Sequence, residues 1–448
     1  MSILDINKLA LDLVALDFSD GHAATANNGG PTKTARALAI LHLAARDAYA
    51  KVTSAYAPKL AGLPNPPAGL GTTDAIGIAA ALGAGIRAAT LLYPDFAAFI
   101  NAQSLMLTGS SDPNAMSYGV EIAEKWMASR QGDGSALPQT DSMYSGEPGH
   151  YRPDPVSKNP ALGRTWGQVK PFVLGSVIAD APLGPPPGLT TPAYAKAFDD
   201  VFDNGRDNIE QRNAMYQHHA AIGIFWGYDG SNKLGVPPRL YNQVVIGTTE
   251  FQALAPKDQL NVLAAINAAM ADAGIAAWYW KYVYDLWRPV AAIREAEAGW
   301  GPTGKGDGNG LRKHKGDPFW LPLGAPRSNP IAPVAPALAA AGDNFTPNFP
   351  AYPSGHATFG TACFETFAGL IRKKTDKIKT KFVSEEFNGN TTDHDGIVRP
   401  RWEQTFTLKD AIEQNKISRI YLGVHWIFDA TGGEEVGKAI AVKTIPAF

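Results

Sequence analysis

Residues 259–289 read QLNVLAAINAAMADAGIAAWYWKYVYDLWRP. Gln259–Trp287 reads as one long helical stretch. Pro289 marks its end, because the residue before a proline resists the helical conformation. Working outward, the same periodicity recurs. Lys33–Val52 carries Leu38, Leu41, Ala45, Ala48 and Tyr49 at three- and four-residue steps. Thr73–Tyr93 is alanine-rich and amphipathic, and Asn114–Arg130 and Thr191–Phe225 continue the pattern. Strand-like alternation is scarce. The expected fold class is therefore all-α, with helical bundles (two four-helix bundles) and long irregular loops. Residues 1–190 are expected to form an N-terminal helical half. Residues 191–448 would form the C-terminal half of the same compact unit and carry the site. Leu137–Gly188 is rich in Pro, Gly and Ser and either wraps a bundle surface or separates the halves. Gly299–Pro353 is a second long loop, and loops of that length are often functional.

Composition narrows the function classes. Charged residues make up 18% and hydrophobic ones 45%, a globular balance rather than a disordered one. A formal net charge of −2 gives no bulk field for nucleic acid or an acidic membrane. The single cysteine, Cys363, excludes an internal disulfide framework and a cysteine-rich zinc site. The N-terminus MSILDINKLALDLVALDFSDG has no basic region before its apolar positions, so no secretory signal is read. Apolar stretches are interrupted by charge or proline before reaching the length of a membrane span. A cytoplasmic protein is the expectation, with secretion after removal of a leader as the alternative.

Three segments carry chemistry. In Trp278–Pro289, Lys281 and Arg288 are seven residues apart, which on a continuing helix puts them on one face, two turns apart. Trp278 precedes them and Asp285 lies between. Alone, such a stripe is explained by a solvated face of surface ion pairs; the surrounding aromatic density is what a solvated face does not need. In FPAYPSGHATFG, residues 349–360, two prolines fix an extended approach to Ser354, a good helix N-cap. Gly355 lets backbone approach an anion closely, and His356 enters a helix whose start suits negative charge. A capped helix with a satisfied core histidine is the bland alternative. In SRIYLGVHWIFD, residues 418–429, the four-residue spacing of His425 and Asp429 places both on one helical face. Asp429 could then bond one imidazole nitrogen and leave the other for a ligand. Arg419 does not share that face on a straight helix, unless Gly423 breaks the chain. A structural His–Asp pair is the alternative here.

Read together, the order Lys…Arg-Pro, Pro-Ser-Gly-His, Ser-Arg…His…Asp resembles the signature of the vanadium haloperoxidase and type-2 phosphatidic acid phosphatase superfamily. All three motifs match at every defining position. The tracts PAYPSGHATFG and ISRIYLGVHWIFDA resemble the vanadium chloroperoxidases in particular, and ARALAILHLAARDAY and PALGRTWGQVKPF are similar to bacterial haloperoxidase-like chains. The gaps between the motifs exceed those of the generic superfamily pattern. The resemblance implies a vanadate cofactor bonded through His425. Lys281, Arg288, Arg419, Ser354 and Gly355 would hold its oxygens. His356 would serve as general acid–base, with Lys281 and His425 completing the catalytic set, and Asp429 would orient His425. It implies hydrogen peroxide, a halide ion and a small organic acceptor as partners, with Trp278 and Phe349 walling the halide. Phosphate would fit the same pocket when vanadate is absent. The rival reading is an acid phosphatase in which His425 forms a phosphohistidine and His356 protonates the leaving group. A third is an anion-binding relative without turnover. Helix surfaces serve packing or association alike, so a homo-oligomer stays open.

Other features are read as structural. Adjacent His218 and His219 diverge by about 100° on a helix and do not share a metal. His42 falls on an apolar stripe and Cys363 on the inner face of the helix after His356. His394 lies in a polar loop that could reach the pocket mouth. GPTGKGDGNG lacks both the Gly-Lys-Ser/Thr ending of a P-loop and EF-hand spacing.

Overall fold

The computed structural model describes residues 3–19, 25–109, 111–138, 140–141, 143–155, 158–207, 218–330 and 345–448. Among the described residues, twelve helices of eight or more residues follow one another along the chain: α1 (Ile3–Asp17), α2 (Pro31–Thr53), α3 (Asp74–Leu92), α4 (Ala97–Thr108), α5 (Pro113–Ser129), α6 (Pro192–Asn204), α7 (His218–Phe225), α8 (Pro237–Ile246), α9 (Pro256–Tyr284), α10 (Gly355–Leu370), α11 (Leu408–Tyr421) and α12 (Ile427–Thr444). The strands among the described residues form two antiparallel pairs: β1 (Thr140–Asp141) with β2 (Ala161–Leu162), and β3 (Lys379–Val383) with β4 (Glu403–Thr407). The all-α expectation is met. Helices begin where proline occupies the first turn, as at Pro31, Pro113, Pro192 and Pro256, since its fixed φ and missing N–H cost nothing there.

Helices α2, α3 and α5 pack together at one end, and α10, α12 and α11 at the other. The long α9 lies between and touches both sets, so one hydrophobic core runs from Ile3 to Ile440. Small residues bring the first group close. A Cβ at Gly119 would come within 2.0 Å of the Ala80 carbonyl oxygen. By length and composition α3 and α9 would pass for membrane spans, contrary to the expectation that every apolar stretch is interrupted. In α9, 94% of the apolar window is buried inside the fold, as a core helix requires.

Two helix boundaries differ from expectation. The stretch expected to run over 191–225 stops at Asn204, with Gly205 as its C-cap, and α7 is a separate helix. More important, α9 ends at Tyr284 rather than Trp287. Asp285 adopts the left-handed conformation (φ 49°) and caps it. The segment around His150 then pairs with Leu286: Tyr151 N–H donates to Asp285 O (2.7 Å) and Trp287 N–H to Gly149 O (3.0 Å). Lys281 and Arg288 are therefore not two turns apart on one helix. Asp285 bonds His150 at the surface instead of standing between the cations. The long 137–188 segment wraps α9. Backbone N–H groups of Phe172, Val173 and Leu174 donate to the buried Asp272 carboxylate, and the indoles and phenols of Trp280, Tyr282 and Tyr284 donate to its carbonyls.

Candidate functional site: a cationic cup at the helix ends

The break after α9 turns Arg288 inward as the N-cap of a short helix, Pro289–Arg294. Its guanidinium is buried. Nε donates to Phe349 O (2.9 Å), and Nη1 donates to Val424 O (2.8 Å) and lies 2.9 Å from His425 Nε2. Burial pulls its pKa down to about 10, which leaves it charged at neutral pH. Lys281, at the end of α9, donates to three carbonyls at once: Pro350 (2.8 Å), Ala351 (2.9 Å) and Pro353 (2.5 Å). Burial, then the Arg288 charge, pulls its pKa well below the usual lysine value. Three acceptors nevertheless call for three N–H donors, which only the ammonium has. All its donors thus go to shaping the 350–353 approach, whereas the expected role had them on an anion.

Ser354 has the backbone of an N-cap for α10, but its side chain makes no capping bond, contrary to expectation. Its backbone N–H donates to Asp429 O (2.8 Å), and its Oγ is buried without a partner. At Gly355 a Cβ would stand 3.4 Å from the Trp278 ring, in ordinary contact with the indole. His356 donates Nε2–H to Gly227 O (2.8 Å), while Tyr241 and Asn415 hold its carbonyl. Burial, then the Arg419 charge, pushes its pKa down to about 4, rather than leaving it near the ordinary 6.5.

His425 lies before α12, not on it. Gly423, at φ 70°, ends the α11 turn, and a Cβ there would meet Gly205 O at 2.2 Å. The chain then reverses, Trp426 becomes the N-cap, and Asp429 sits at the third helical position. Asp429 Oδ2 accepts from His425 Nδ1 (2.8 Å) and Trp426 N (3.0 Å). This pairing fixes the Nδ1–H tautomer and leaves the Nε2 lone pair toward Arg288. The His–Asp contact was legible, but its geometry is that of a helix entrance rather than a helical face. Burial, reinforced by Arg288, lowers the His425 pKa well below its ordinary value, and burial raises that of Asp429 to about 7.

Arg419, on the last turn of α11, is held by a carboxylate that sequence reasoning did not choose. Asp229 accepts from Nη1 (3.0 Å) and Nη2 (2.9 Å), and its Oδ1 is 3.9 Å from His356 Nε2. In YDGSN the acid looks like an ordinary turn residue.

These groups meet at the floor of a cavity of about 150 Å³, lined there by Asp229, Gly355, His356, Arg419 and His425. Trp278 and Phe349 form a wall with centroids 4.6 Å apart, and Lys281 and Arg288 lie 5.2 and 5.0 Å from the Phe349 ring. Four buried donors in this cluster lack partners: Ser354 Oγ, Arg288 Nη2, Arg419 Nε and Trp278 Nε1. Buried polar groups are rarely left unpaired. Donors and positive charge in excess define a receptor for an oxyanion. Elsewhere, His42 is buried against Leu38 O and the Asn7 amide, Cys363 is buried, His219 stacks on Tyr421, and His394 is buried away from the cavity lining.

A helical-bundle protein with a buried oxyanion cup walled by aromatics is the class so far defined. Residues 261–447 match the family described as the VCPO second helical-bundle domain. Vanadium chloroperoxidase of Curvularia inaequalis is 30% identical over 527 residues, spanning 97% of this chain and 80% of that protein. A bacterial vanadium-dependent iodoperoxidase shares the fold at TM-score 0.72 and 19% identity, over 99% of this chain and 96% of that one. The holo-type bacterial vanadium-dependent chloroperoxidase does so at 0.64 and 18%, over 93% and 92%. The chain belongs to the vanadium-dependent haloperoxidase family, as a vanadium chloroperoxidase-like member.

Proposed function

We propose that the protein binds vanadate in this cup and, with hydrogen peroxide, oxidises a halide ion to hypohalous acid. The observation that carries the reading is the set of unpartnered buried donors, Ser354 Oγ, Arg288 Nη2 and Arg419 Nε, beside the oriented imidazole of His425. The residues fit the group. Vanadate is an anion with several oxygens, and fixed cations and hydroxyl donors are its complement. His425 would bond it through Nε2, with Arg288 Nη1 moving off that lone pair. When bound, vanadate supplies a Lewis-acid centre that activates peroxide without changing oxidation state.

The remaining work falls to the chain. Arg288 and Arg419 hold negative charge in a dry site, where such interactions are strongest. Lys281 contributes charge from behind the 350–353 segment. His356 is neutral in the metal-free protein, and a neighbouring anion raises its pKa from about 4 toward the range useful for moving protons. Trp278 and Phe349 exclude water beside the cup and suit a weakly hydrated halide.

Equilibrium dialysis with orthovanadate, followed by peroxide-dependent halogenation of a phenol, tests the proposal. Halogenation that requires vanadate supports it. Phosphate-ester hydrolysis by the metal-free protein without halogenation moves the function to the phosphatase branch. Anion binding with neither activity reduces the protein to a binding relative.

A further inference from the structure

A buried carboxylate outside the cup borders the turn that receives His356. Glu386 is fully buried on the short helix Glu385–Phe387. Its Oε2 accepts from Arg399 Nη1 and Ser328 Oγ, both also buried, and Arg399 Nη1 bonds Ser328 Oγ as well (2.8 Å). A cationic donor on that oxygen favours the carboxylate. Oε1 accepts no close hydrogen bond and lies against Gly227, where a Cβ would stand 3.1 Å away. Burial pushes the Glu386 pKa up; Arg399, the Ser328 hydroxyl and the Tyr228 N–H oppose the rise, and the neighbouring Asp229 charge adds to it. Tyr228 adopts φ 49°, which a non-glycine residue keeps only where its surroundings impose it. Its hydroxyl accepts from the Glu385 N–H (2.9 Å) and donates to Gln243 Oε1 (3.1 Å). The Glu385 carboxylate accepts from Gln243 Nε2 (2.7 Å) and Arg239 Nη2 (3.0 Å) on α8. Glu385 and Glu386 thus fasten the 227–229 turn, the first by way of α8 and the second directly.

That turn reaches the cup twice. Gly227 O takes the His356 Nε2–H (2.8 Å), and Asp229 clamps Arg419. With its proton on Nε2, neutral His356 keeps its lone pair on Nδ1, so one carbonyl oxygen decides which nitrogen accepts a proton. We infer that Glu386, braced by Arg399 and Ser328, is a positioning residue for His356, holding the Gly227 carbonyl where it fixes the imidazole. The inference rests on the function proposed above for what the ring does, and goes beyond it in naming what sets the ring's orientation. Asp229 Oδ1 stands 3.9 Å from the same nitrogen, so a turn that slips lets the ring drift from one oxygen toward the other. Glu386→Gln should cause such a slip. The amide NH2 faces either the Arg399 donor or the Tyr228 N–H, and donor then meets donor.

Histidine NMR on metal-free, nitrogen-15-labelled protein reads the ring directly. The wild-type resonance that His356→Gln deletes should belong to a neutral ring protonated at Nε2, with an N–H that exchanges slowly with water. In Glu386→Gln that N–H should exchange at least about tenfold faster, as a locally loosened bond does. In equilibrium dialysis the orthovanadate Kd should rise roughly tenfold. Adding Glu386→Gln to His356→Gln should change it by less than about twofold, because a residue that acts through another then has nothing left to act on. Losses that add in the double variant indicate general loosening and overturn the inference. A folded Glu386→Gln protein whose His356 N–H exchange matches wild type overturns it too. If wild type binds no orthovanadate, the proposed function falls, and the exchange measurement on metal-free protein still decides the role of Glu386. Ser328→Ala removes one donor from Oε2 and asks less of folding. It should move both readouts the same way by a smaller factor, and where Glu386→Gln does not fold, no movement in Ser328→Ala overturns the inference.

Discussion

Replacing Asp429 by asparagine separates what this carboxylate does for the fold from what it does for the site. Its Oδ2 accepts from His425 Nδ1 and Trp426 N, and an amide oxygen in the same place can accept both, though more weakly. The substitution therefore keeps shape and bonds and removes a fully buried charge. Burial moves the Asp429 pKa from 3.8 to about 7, against the opposing pull of the Trp426 N–H, Lys281 and Arg288. That change is worth ~4 kcal/mol at 1.36 kcal/mol per pH unit. The acid holds its proton more tightly in the folded chain. Its stabilising contribution is complete below the unfolded value and drains away as pH rises through about 7. A carboxylate on the first turn of α12 recovers about 0.3–1 kcal/mol through the helix dipole. Urea unfolding of the metal-free proteins should thus show Asp429→Asn more stable than wild type at pH 8 by about 3 kcal/mol. The advantage should shrink by roughly 2–3 kcal/mol at pH 5, and other titrations cancel in the difference. The site responds in the opposite sense. An amide supports imidazole basicity less than a carboxylate does, and losing such a partner costs about 10–100-fold in metal affinity. Equilibrium dialysis at pH 8 reads that loss. A variant less stable than wild type at pH 8, or one that binds orthovanadate equally well, refutes the reasoning.

Ser354→Ala removes an unpartnered buried hydroxyl, so thermal melting of the metal-free protein should hold or rise, while orthovanadate affinity in dialysis falls about tenfold or more. Asp229→Ala strands the buried Arg419 guanidinium and should cost about 3–5 kcal/mol in urea unfolding; a change below about 1 kcal/mol would show that the pair contributes little. His42 is buried neutral, with a pKa pushed by burial from 6.5 to about 4. Its stabilising contribution is full above the unfolded value and is lost as pH falls from 6.5 to about 4, on the order of 3 kcal/mol. His42→Leu, less stable overall, should flatten unfolding free energy against pH across that window.

What the sequence disclosed and what it hid divide along a physical line. Helix existence was legible in α2, α3, α5 and α9 because apolar periodicity and first-turn prolines are local signals. The end of α9 was not, because the pattern runs on to Trp287 and the break at Asp285 is held by backbone bonds to Gly149 and Tyr151, far away in sequence. The acid on Arg419 was hidden for the same reason: Asp229 is 190 residues away, and nothing within its own turn distinguishes it. The partners of Lys281 were hidden too, because they are backbone carbonyls, which leave no trace in side-chain pattern.

The three motifs were legible from their order and residue types, but the residues gathered in the cup occupy element ends rather than the helical faces expected for Lys281 with Arg288 and for His425 with Asp429. Arg288 is an N-cap before a proline, and Ser354, Gly355 and His356 open α10. Arg419 lies on the last turn of α11, His425 precedes the cap of α12, and Asp429 is on its first turn. Chain ends of this kind need proline, serine and glycine for backbone reasons, and those residues mark them in the sequence. They also leave N–H groups unpaired and bring the positive ends of helix dipoles together. The local chemistry that stops and starts helices here is thus the chemistry that gathers charge for an oxyanion. A variant that repairs the Gly423 break should accordingly lose the anion site before it loses the helices on either side.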